Sequence, residues 1–194
     1  MDNQLYLFLK EKTALSDESI AQIAIHFKSI KAKRNQVLEA AGKVCKKMYF
    51  IKSGCLRLYE VDKKGNDITG YFALEDSIMT ALPSLITQKP SRDFLVALEP
   101  CELLVISRDQ FFSAVEQFPA FRLMYNQFVE FAFIHSQMRI YSFLGMEGID
   151  KLKWVIEHEP KLLTRVSSKA VASYLGMTNS TLSKLRAKLK MVVI

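Results

Sequence analysis

The sequence predicts an α+β protein in which a strand-rich region is followed by a long helix and a C-terminal helix–turn–helix. Three observations lead to this fold class. Short runs rich in β-branched and aromatic residues recur between residues 31 and 107. Residues 120–143 contain neither glycine nor proline. Residues 167–189 show two helical patterns separated by a single glycine.

The N-terminal part of the chain has apolar residues at helical spacing, and we expect helices over residues 5–30. Ser16 predicts the start of one of them, because a serine side chain accepts a hydrogen bond from the first turn of a helix. The next region is interpreted as a β-sandwich or barrel, since its apolar runs are short and regularly spaced. Turn residues at 63–67 predict a hairpin. The expected strands lie at residues 36–40, 47–52, 55–61, 68–73, 94–98 and 101–107.

A long helix is predicted to begin at Pro119, a residue suited to a first helical turn, and to continue to about residue 143. A helix of about 25 residues spans roughly 37 Å, which is longer than a small domain requires. Its wide aromatic stripe favours a dimerisation helix, and a core helix within one domain is the alternative. We expect a hinge at residues 145–148 and a helix over residues 149–158. The expected dimer-interface residues are Phe121, Met124, Phe128, Phe131, His135 and Met138.

The spacing of residues 167–189 predicts a helix–turn–helix. Gly176 is expected to end the first helix, at residues 169–175, because glycine tolerates the left-handed conformation of a tight turn. Thr178 is expected to cap the second helix, at about residues 179–190. The exposed face of that helix carries short hydrogen-bonding side chains first and cations afterwards, as reading of a DNA major groove requires.

The excess positive charge of the chain is concentrated at its C-terminal end. The formal net charge is +7, and residues 1–160 contain equal numbers of basic and acidic residues. Residues 161–194 contain seven basic residues and no acidic residue. A basic end on a neutral body is typical of a protein that binds a polyanion, and a solvated basic tail is the alternative. Together with the helix pair, this pattern predicts binding to double-stranded DNA.

The predicted contacts with DNA divide into two classes. The residues expected to read base edges are Asn179, Ser180, Ser183 and Lys184, with Thr181 on the same exposed face. The residues expected to contact phosphates are Ser168, Lys169, Thr178, Arg186 and Lys188. In a homodimer, the two reading helices are expected to enter half-sites about one helical turn (~34 Å) apart.

Three segments resemble the Crp/Fnr family of transcription regulators, in the form common in Bacteroidetes-like bacteria. The motif VASYLGMTNSTLSKLR at residues 171–186 closely resembles the helix–turn–helix signature of that family. The segments YFIKSGCLRLY at residues 49–59 and ALEPCELLVIS at residues 97–107 resemble two further family patterns. The resemblance implies an N-terminal jelly roll like a cyclic-nucleotide-binding domain, a dimerisation helix, a C-terminal winged helix–turn–helix and RNA polymerase as a partner. Because the sequence ends soon after the last helix, we expect a short or incomplete wing.

These features predict a sensor domain at residues 1–118, a dimerisation helix at 119–144 and a DNA-binding domain at 145–194.

The resemblance also bears on the effector. Cyclic-AMP-binding relatives use a Gly-Glu pair for the ribose and an arginine six residues before an alanine for the phosphate. In this sequence the segment that corresponds to the Gly-Glu pair is residues 76–84, which contain no glycine. Ser91 occupies the position six residues before Ala97.

The adjacent residue, Arg92, is displaced from this position by one residue. On a strand, such a displacement points the side chain to the opposite face. We therefore expect a homodimeric regulator that does not bind cyclic AMP. The alternative is a cyclic-nucleotide-gated regulator with a divergent pocket. An unidentified small-molecule effector is expected to contact Tyr71, Phe72, Leu82, Ser84, Ser91 and Arg92.

Other classes of function are less favoured by the sequence. A metal-dependent jelly-roll enzyme requires several histidines on its strands, and no histidine lies within residues 31–107. A nucleotide-binding module that acts on a protein partner is disfavoured by the basic C-terminal end. We expect no catalytic residues, metal, cofactor, secretory signal or transmembrane helix, and a reduced, cytoplasmic setting. The three widely spaced cysteines are interpreted as buried structural residues: Cys45, Cys55 and Cys101.

Overall fold

The computed structural model describes residues 2–192, apart from the side chains of residues 142–144 and 190–192. The wing expected after the last helix lies outside the described residues. In chain order, the elements are α1 (Asn3–Lys12), α2 (Asp17–Ala24), β1 (Lys28–Ala32), β2 (Val37–Glu39), β3 (Lys47–Ser53), β4 (Leu56–Val61), β5 (Asp67–Ala73), β6 (Ser77–Met79), α3 (Leu82–Thr87), β7 (Phe94–Ala97), β8 (Cys101–Ser107), α4 (Arg108–Gln117), α5 (Pro119–Gly145), α6 (Gly148–His158), α7 (Pro160–Arg165), α8 (Ser168–Tyr174) and α9 (Asn179–Val192).

The strands of the described chain form two four-stranded sheets, in the orders β1-β8-β3-β6 and β2-β7-β4-β5. The central pair of the first sheet is antiparallel, with Phe50 of β3 opposite Leu104 of β8. In the second sheet, β4 and β7 are antiparallel with Leu58 opposite Leu95. The predicted α+β class and the β-sandwich are therefore confirmed.

The chain divides into two compact units, the first comprising Met1–Glu60 and Phe72–Phe131, the second Val61–Tyr71 and Ala132–Ile194. The core of the first unit combines its N-terminal helices, its strands and the start of α5. Its largest buried side chains include Leu5, Leu9, Ile20, Phe50, Phe111 and Phe121. The functional division into a sensor domain, a dimerisation helix and a DNA-binding domain remains a prediction.

The second unit contains the helices that follow α5. Its apolar residues at helical spacing are buried, which explains why four short helices remain together. The buried side chains include Leu152, Val155, Leu162, Val171 and Leu182. No helix among the described residues combines the length and the apolar character that a membrane span requires.

Several local predictions are confirmed, and some elements were missed. Ser16 caps α2, its hydroxyl accepting a hydrogen bond from Ser19 N at 3.2 Å. The helix expected to reach residue 30 is wrong at its end, because residues 28–32 form β1 and pair with β8. The paired residues of β1 and β8 lie about seventy positions apart in the chain, and the local spacing carries no signal of this pairing. Elements without a sequence prediction include β6, α3 and α7.

All three cysteines are buried thiols, as the sequence predicts. Cys101 Sγ lies 3.7 Å from the carbonyl oxygen of Cys55, which places the Cys101 thiol against the backbone at the start of β4. Cys45 Sγ contacts the hydroxyl of Thr80 at 3.2 Å. Each cysteine therefore serves the packing of the sandwich.

Candidate nucleic-acid interface

The first helix of the predicted helix–turn–helix is fixed by a cap and by its apolar face. The Ser167 hydroxyl accepts a hydrogen bond from Ala170 N at 3.3 Å, which satisfies one of the free amide groups at the start of α8. Ala170, Val171 and Ala172 are all buried, so α8 presents its small side chains to the rest of the second unit. Small side chains permit the close approach that a helix–turn–helix requires.

The turn has the geometry predicted from the sequence. Gly176 has φ +66°, a left-handed conformation that favours glycine. Met177 N donates to the carbonyl oxygen of Ala172 at 3.0 Å, which closes the end of α8. Thr178 then caps α9, because its hydroxyl accepts from Thr181 N at 3.1 Å. Leu182 is fully buried and fills the corner between the two helices.

The predicted reading face of α9 is exposed along its described length. The residue types change along this face from hydroxyl and amide groups near its start to cations further on. The exposed residues among those predicted to contact DNA are Ser168, Lys169, Thr178, Asn179, Ser180, Thr181, Ser183, Lys184 and Lys188. Exposure of this kind is what contact with a nucleic acid requires, since a buried side chain reaches neither bases nor phosphates.

Arg186 is the half-buried member of the predicted set. Its Nη1 donates to the Ser168 hydroxyl at 2.7 Å, so the start of α8 and the middle of α9 are joined by a side-chain hydrogen bond. Both residues were predicted to contact phosphates, and the structure brings them together. The guanidinium group retains further N–H donors, because an arginine carries five.

Two residues that position α8 were not predicted from the sequence. The hydroxyl of Ser173 accepts from Thr69 N at 2.9 Å and donates to the carbonyl oxygen of Asp67 at 2.8 Å. Arg139 of α5 donates through Nη2 to the carbonyl oxygens of Thr69 (2.9 Å) and Tyr174 (3.3 Å). These contacts hold β5 residues and α8 together within the second unit. No local pattern indicates them, because they join residues 35 to 106 positions apart.

The ionisable groups around Tyr174 are perturbed by burial. Its guanidinium neighbour, Arg139, lies 4.7 Å from the centre of the Tyr174 ring. Burial raises the pKa of the Tyr174 hydroxyl, and the nearby Glu159 carboxylate raises it further. Burial also raises the pKa of Glu159, whose Oε1 accepts from the Tyr174 hydroxyl at 3.4 Å. This cluster therefore packs around Tyr174, the last residue of α8.

The six residues predicted for an effector pocket have different local surroundings, and their role in binding an effector stays a prediction. Tyr71 belongs to the second unit and packs edge-to-face on His135, with ring centres 4.9 Å apart. Phe72 and Leu82 belong to the first unit, where Phe72 is buried and Leu82 begins α3. Arg92 is 85% exposed and forms an ion pair with Glu60 at 3.0 Å.

The hydroxyl groups of the two serines in that set, Ser84 and Ser91, form hydrogen bonds with backbone groups. Ser84 accepts from Cys45 N at 2.9 Å and donates to the carbonyl oxygen of Lys89 at 2.6 Å. Ser91 accepts from Asp93 N at 2.9 Å and donates to the carbonyl oxygen of the same residue. These hydroxyls therefore satisfy buried or partly buried backbone groups on either side of α3.

The residues predicted for a dimer interface differ in exposure. Phe121 and Met124 are buried in the core of the first unit, and Phe128 packs against it. His135 is half-buried against Tyr71. Their burial is therefore explained within one protomer. Phe131 and Met138 are more than half exposed, as are Leu123, Ile134 and Tyr141 on the same helix.

Comparisons with known proteins agree with this description. The family model of the cyclic nucleotide-binding domain matches residues 29–118. FixK2 from Bradyrhizobium japonicum is similar in structure, with a TM-score of 0.75 and 16% identity over 87% of this chain and 86% of that one. CLP from Xanthomonas campestris, a c-di-GMP responsive global regulator, has a TM-score of 0.74 and 13% identity over 91% of this chain and 92% of that one.

A protein from Eubacterium rectale, assigned to the crp/fnr family of transcriptional regulators, has a TM-score of 0.75 and 14% identity over 98% of this chain and 88% of its own. No curated protein sequence matches the chain. At these identities the structural likeness establishes the fold alone. The chain therefore has the fold of the Crp/Fnr transcriptional regulators, and its residues 29–118 match the family model of the cyclic nucleotide-binding domain.

Proposed function

We propose that the protein is a homodimeric, sequence-specific DNA-binding transcription regulator that inserts α9 into the major groove. The observation that carries this proposal is the exposed polar and cationic face of α9, held by a capped helix–turn–helix. Residues 161–194 contain no acidic side chain, so no negative charge of this segment opposes the approach of phosphates. RNA polymerase is the expected second partner of such a regulator.

The order of residue types along α9 supports a division of roles. Asn179, Ser180 and Ser183 carry hydrogen-bonding groups near the start of the helix, where recognition helices contact base edges. Lys184 follows one turn later and suits guanine, whose O6 and N7 are acceptors in the major groove. Lys188 lies a further turn along and suits a phosphate.

The exposed apolar side chains of α5 support dimerisation. Phe131, Ile134, Met138 and Tyr141 follow one another at three- and four-residue steps and are each more than half exposed. Helical positions at this spacing form one stripe, which a second copy of the same helix can cover in a symmetric pair. A dimer also supplies the two reading helices that a two-fold symmetric operator requires.

The dependence of binding on salt tests the proposal. Three phosphate-directed cations in each protomer, Lys169, Arg186 and Lys188, give six in a dimer. The logarithm of the binding constant is then expected to fall with the logarithm of salt concentration with a slope of about −5. Fluorescence anisotropy of a labelled random-sequence duplex measures this slope. A slope near zero would contradict this proposal and favour the alternative function, a nucleotide-binding module that acts on a protein partner.

A cyclic-nucleotide-gated regulator is the second candidate, favoured by the match of residues 29–118 to the cyclic nucleotide-binding domain. The exposure of Arg92 and its ion pair with Glu60 argue against cyclic AMP as the ligand. Thermal unfolding with and without cyclic AMP and cyclic GMP distinguishes a cyclic-nucleotide-gated regulator from one that binds neither nucleotide. A ligand at 100 times its Kd adds about 2.7 kcal/mol to the free energy of unfolding, so gating predicts a rise in Tm of several degrees. We expect no rise at millimolar nucleotide.

A further inference from the structure

Basic side chains are concentrated in two segments of the first unit, although residues 1–160 carry no net charge as a whole. Residues 40–59 contain five basic residues and no acidic residue. Residues 77–92 contain two basic residues and again no acidic residue. Both segments belong to the first of the two compact units. The overall balance of charge therefore hides a local excess of cations.

Three of these seven cations are paired or buried within the protomer. Lys52 forms an ion pair with Asp2 at 2.7 Å. Arg92 pairs with Glu60 at 3.0 Å, and Arg57 is buried. The other four are exposed lysines that form no ion pair among the residues that the structure describes, and we call them the lysine patch: Lys43, Lys46, Lys47 and Lys89.

Backbone pairing holds the two segments of the lysine patch side by side. An antiparallel bridge joins Val44 and Pro90. Next to it, Ser91 N donates to the carbonyl oxygen of Lys43 at 2.8 Å. Lys43 and Lys89 therefore follow neighbouring stretches of backbone, although they are far apart in the sequence.

Arg108 connects the same two parts of the chain at a second point. Its backbone N donates to the carbonyl oxygen of Lys46 at 2.8 Å, and its Nε donates to that of Leu85 in α3 at 2.9 Å. Its Nη1 lies 3.5 Å from the carboxylate of Asp109, so its own charge has a partner. Arg108 thus positions the backbone that carries the lysine patch and is not counted in it.

An exposed aliphatic side chain accompanies the lysine patch. Ile86 belongs to α3, is 42% exposed and precedes Lys89 by three residues. Lysines brought together without counter-charges repel one another and lower the stability of the folded unit. A partner that supplies negative charge relieves this repulsion, and a partner with an apolar group also covers Ile86.

We infer that the lysine patch is a docking surface for an acidic segment of a partner protein, one that carries aliphatic side chains among its carboxylates. The carboxylates face the lysines, and an aliphatic side chain packs on Ile86. A nucleic-acid backbone fits less well, because it has no aliphatic group for Ile86. Lysine also lacks the planar fork with which arginine binds phosphate through two hydrogen bonds. This surface is separate from the reading face of α9.

A short fluorescein-labelled peptide of glutamate, aspartate and two leucines provides the probe. Its binding to the full chain is measured by fluorescence anisotropy at physiological salt, where the Debye length is about 8 Å and distant charges contribute little. Lys43→Gln/Lys89→Gln is expected to weaken binding about fivefold or more. The control, Lys33→Gln/Arg34→Gln, removes two exposed cations from another part of the first unit, and we expect less than a twofold change.

Two further arms identify the kind of partner. Ile86→Ser is expected to weaken the leucine-containing peptide about threefold and to leave a peptide with serine at those positions unchanged. With a random-sequence duplex in place of the peptide, the Lys43/Lys89 variant is expected to bind like the Lys33/Arg34 control.

The inference is overturned by the absence of saturable peptide binding, or by equal losses in the two double variants. It is also overturned if the Lys43/Lys89 variant loses affinity for the duplex and not for the peptide, or if Ile86→Ser affects both peptides alike. Failure of the proposed DNA binding is a different result, since the wild-type chain then does not bind the duplex and the peptide measurements stand.

Discussion

Lys184 and Lys188 lie one helical turn apart on α9, and both are exposed. The proposal gives them different partners, a base edge for Lys184 and a phosphate for Lys188. These roles differ in their consequences, because a base contact carries sequence information and a phosphate contact does not. The pair therefore separates reading of sequence from general attraction to DNA.

Lys184→Ala is expected to cost on the order of 1–3 kcal/mol of binding free energy on the preferred sequence and to relax the preference at one base pair. Lys188→Ala is expected to weaken binding to all sequences alike and to reduce the salt slope by about one per protomer. Anisotropy titrations with preferred and random duplexes measure both effects. Equal, sequence-independent losses in the two variants would contradict the assigned register of α9.

His135 predicts a dependence of stability on pH. Its pKa is lowered from the ordinary 6.5, first by burial and then by the charge of Arg139. The unfolded chain therefore binds a proton at a higher pH than the folded chain does. As pH falls below about 6.5, protonation favours the unfolded state, and stability is lost until the folded-state pKa is passed.

Replacing His135 with glutamine is expected to remove this contribution. The quantity to measure is the difference in free energy of unfolding between the wild-type protein and His135→Gln, from urea titrations at pH 7.5 to 5. Using the difference cancels the opposite contribution of Glu159, whose pKa is raised. We expect the wild-type protein to lose relatively more stability at the acidic end. Parallel profiles for the two proteins would rule out His135 as the source.

At the scale of elements, α5 has two apolar faces with different uses. Phe121 and Met124 complete the core of the first unit, so the stripe predicted for the dimer begins on a face that the protomer itself buries. The exposed stripe lies on neighbouring positions, including Phe131, Ile134 and Met138. Periodicity alone does not distinguish these faces, because both repeat at the helical period.

Ile134→Glu is expected to dissociate the proposed dimer, because it would place a charge in the exposed stripe of α5 that the proposal assigns to the interface. Ile140→Glu is the control, since Ile140 is also about half exposed but lies on another face of the helix. Sedimentation equilibrium measures the mass of each variant. We expect a monomer for Ile134→Glu and a dimer for Ile140→Glu. A wild-type monomer, or dissociation by both variants, would contradict the proposed interface.

The parts of the fold that the sequence predicted are those set by neighbours in the chain. Ser16 and Thr178 cap helices through amides three residues ahead, and Gly176 provides a turn conformation that few other residues adopt. The reading face of α9 follows in the same way from its spacing. These signals are local, so one sequence is sufficient to find them.

The parts that were missed depend on distant partners. β1 forms because β8 pairs with it, and Arg139 is fixed by carbonyl oxygens of β5 and α8. The hydroxyl of Ser84 accepts a hydrogen bond from Cys45 N, 39 residues away, and that of Ser91 accepts from Asp93 N; their predicted contact with an effector stays a prediction. Neither a pairing partner nor a backbone acceptor leaves a mark in the local residue pattern.

At the scale of the whole molecule, the sequence places a neutral body before a basic C-terminal end. The net charge of +7 arises within residues 161–194, which include α8 and α9. In the proposed regulator, positive charge concentrated in this segment would attract DNA to α9. Two such ends in a dimer can contact two half-sites at once.

Selection of bound sequences from a pool of random duplexes tests the central claim most directly. A homodimer that reads DNA through two copies of α9 is expected to enrich a two-fold symmetric pair of half-sites, with centres about one helical turn (~34 Å) apart. The enriched sequences are then expected to bind more tightly than the starting pool at the same salt concentration. Enrichment of no sequence, or of single half-sites without symmetry, would contradict the account.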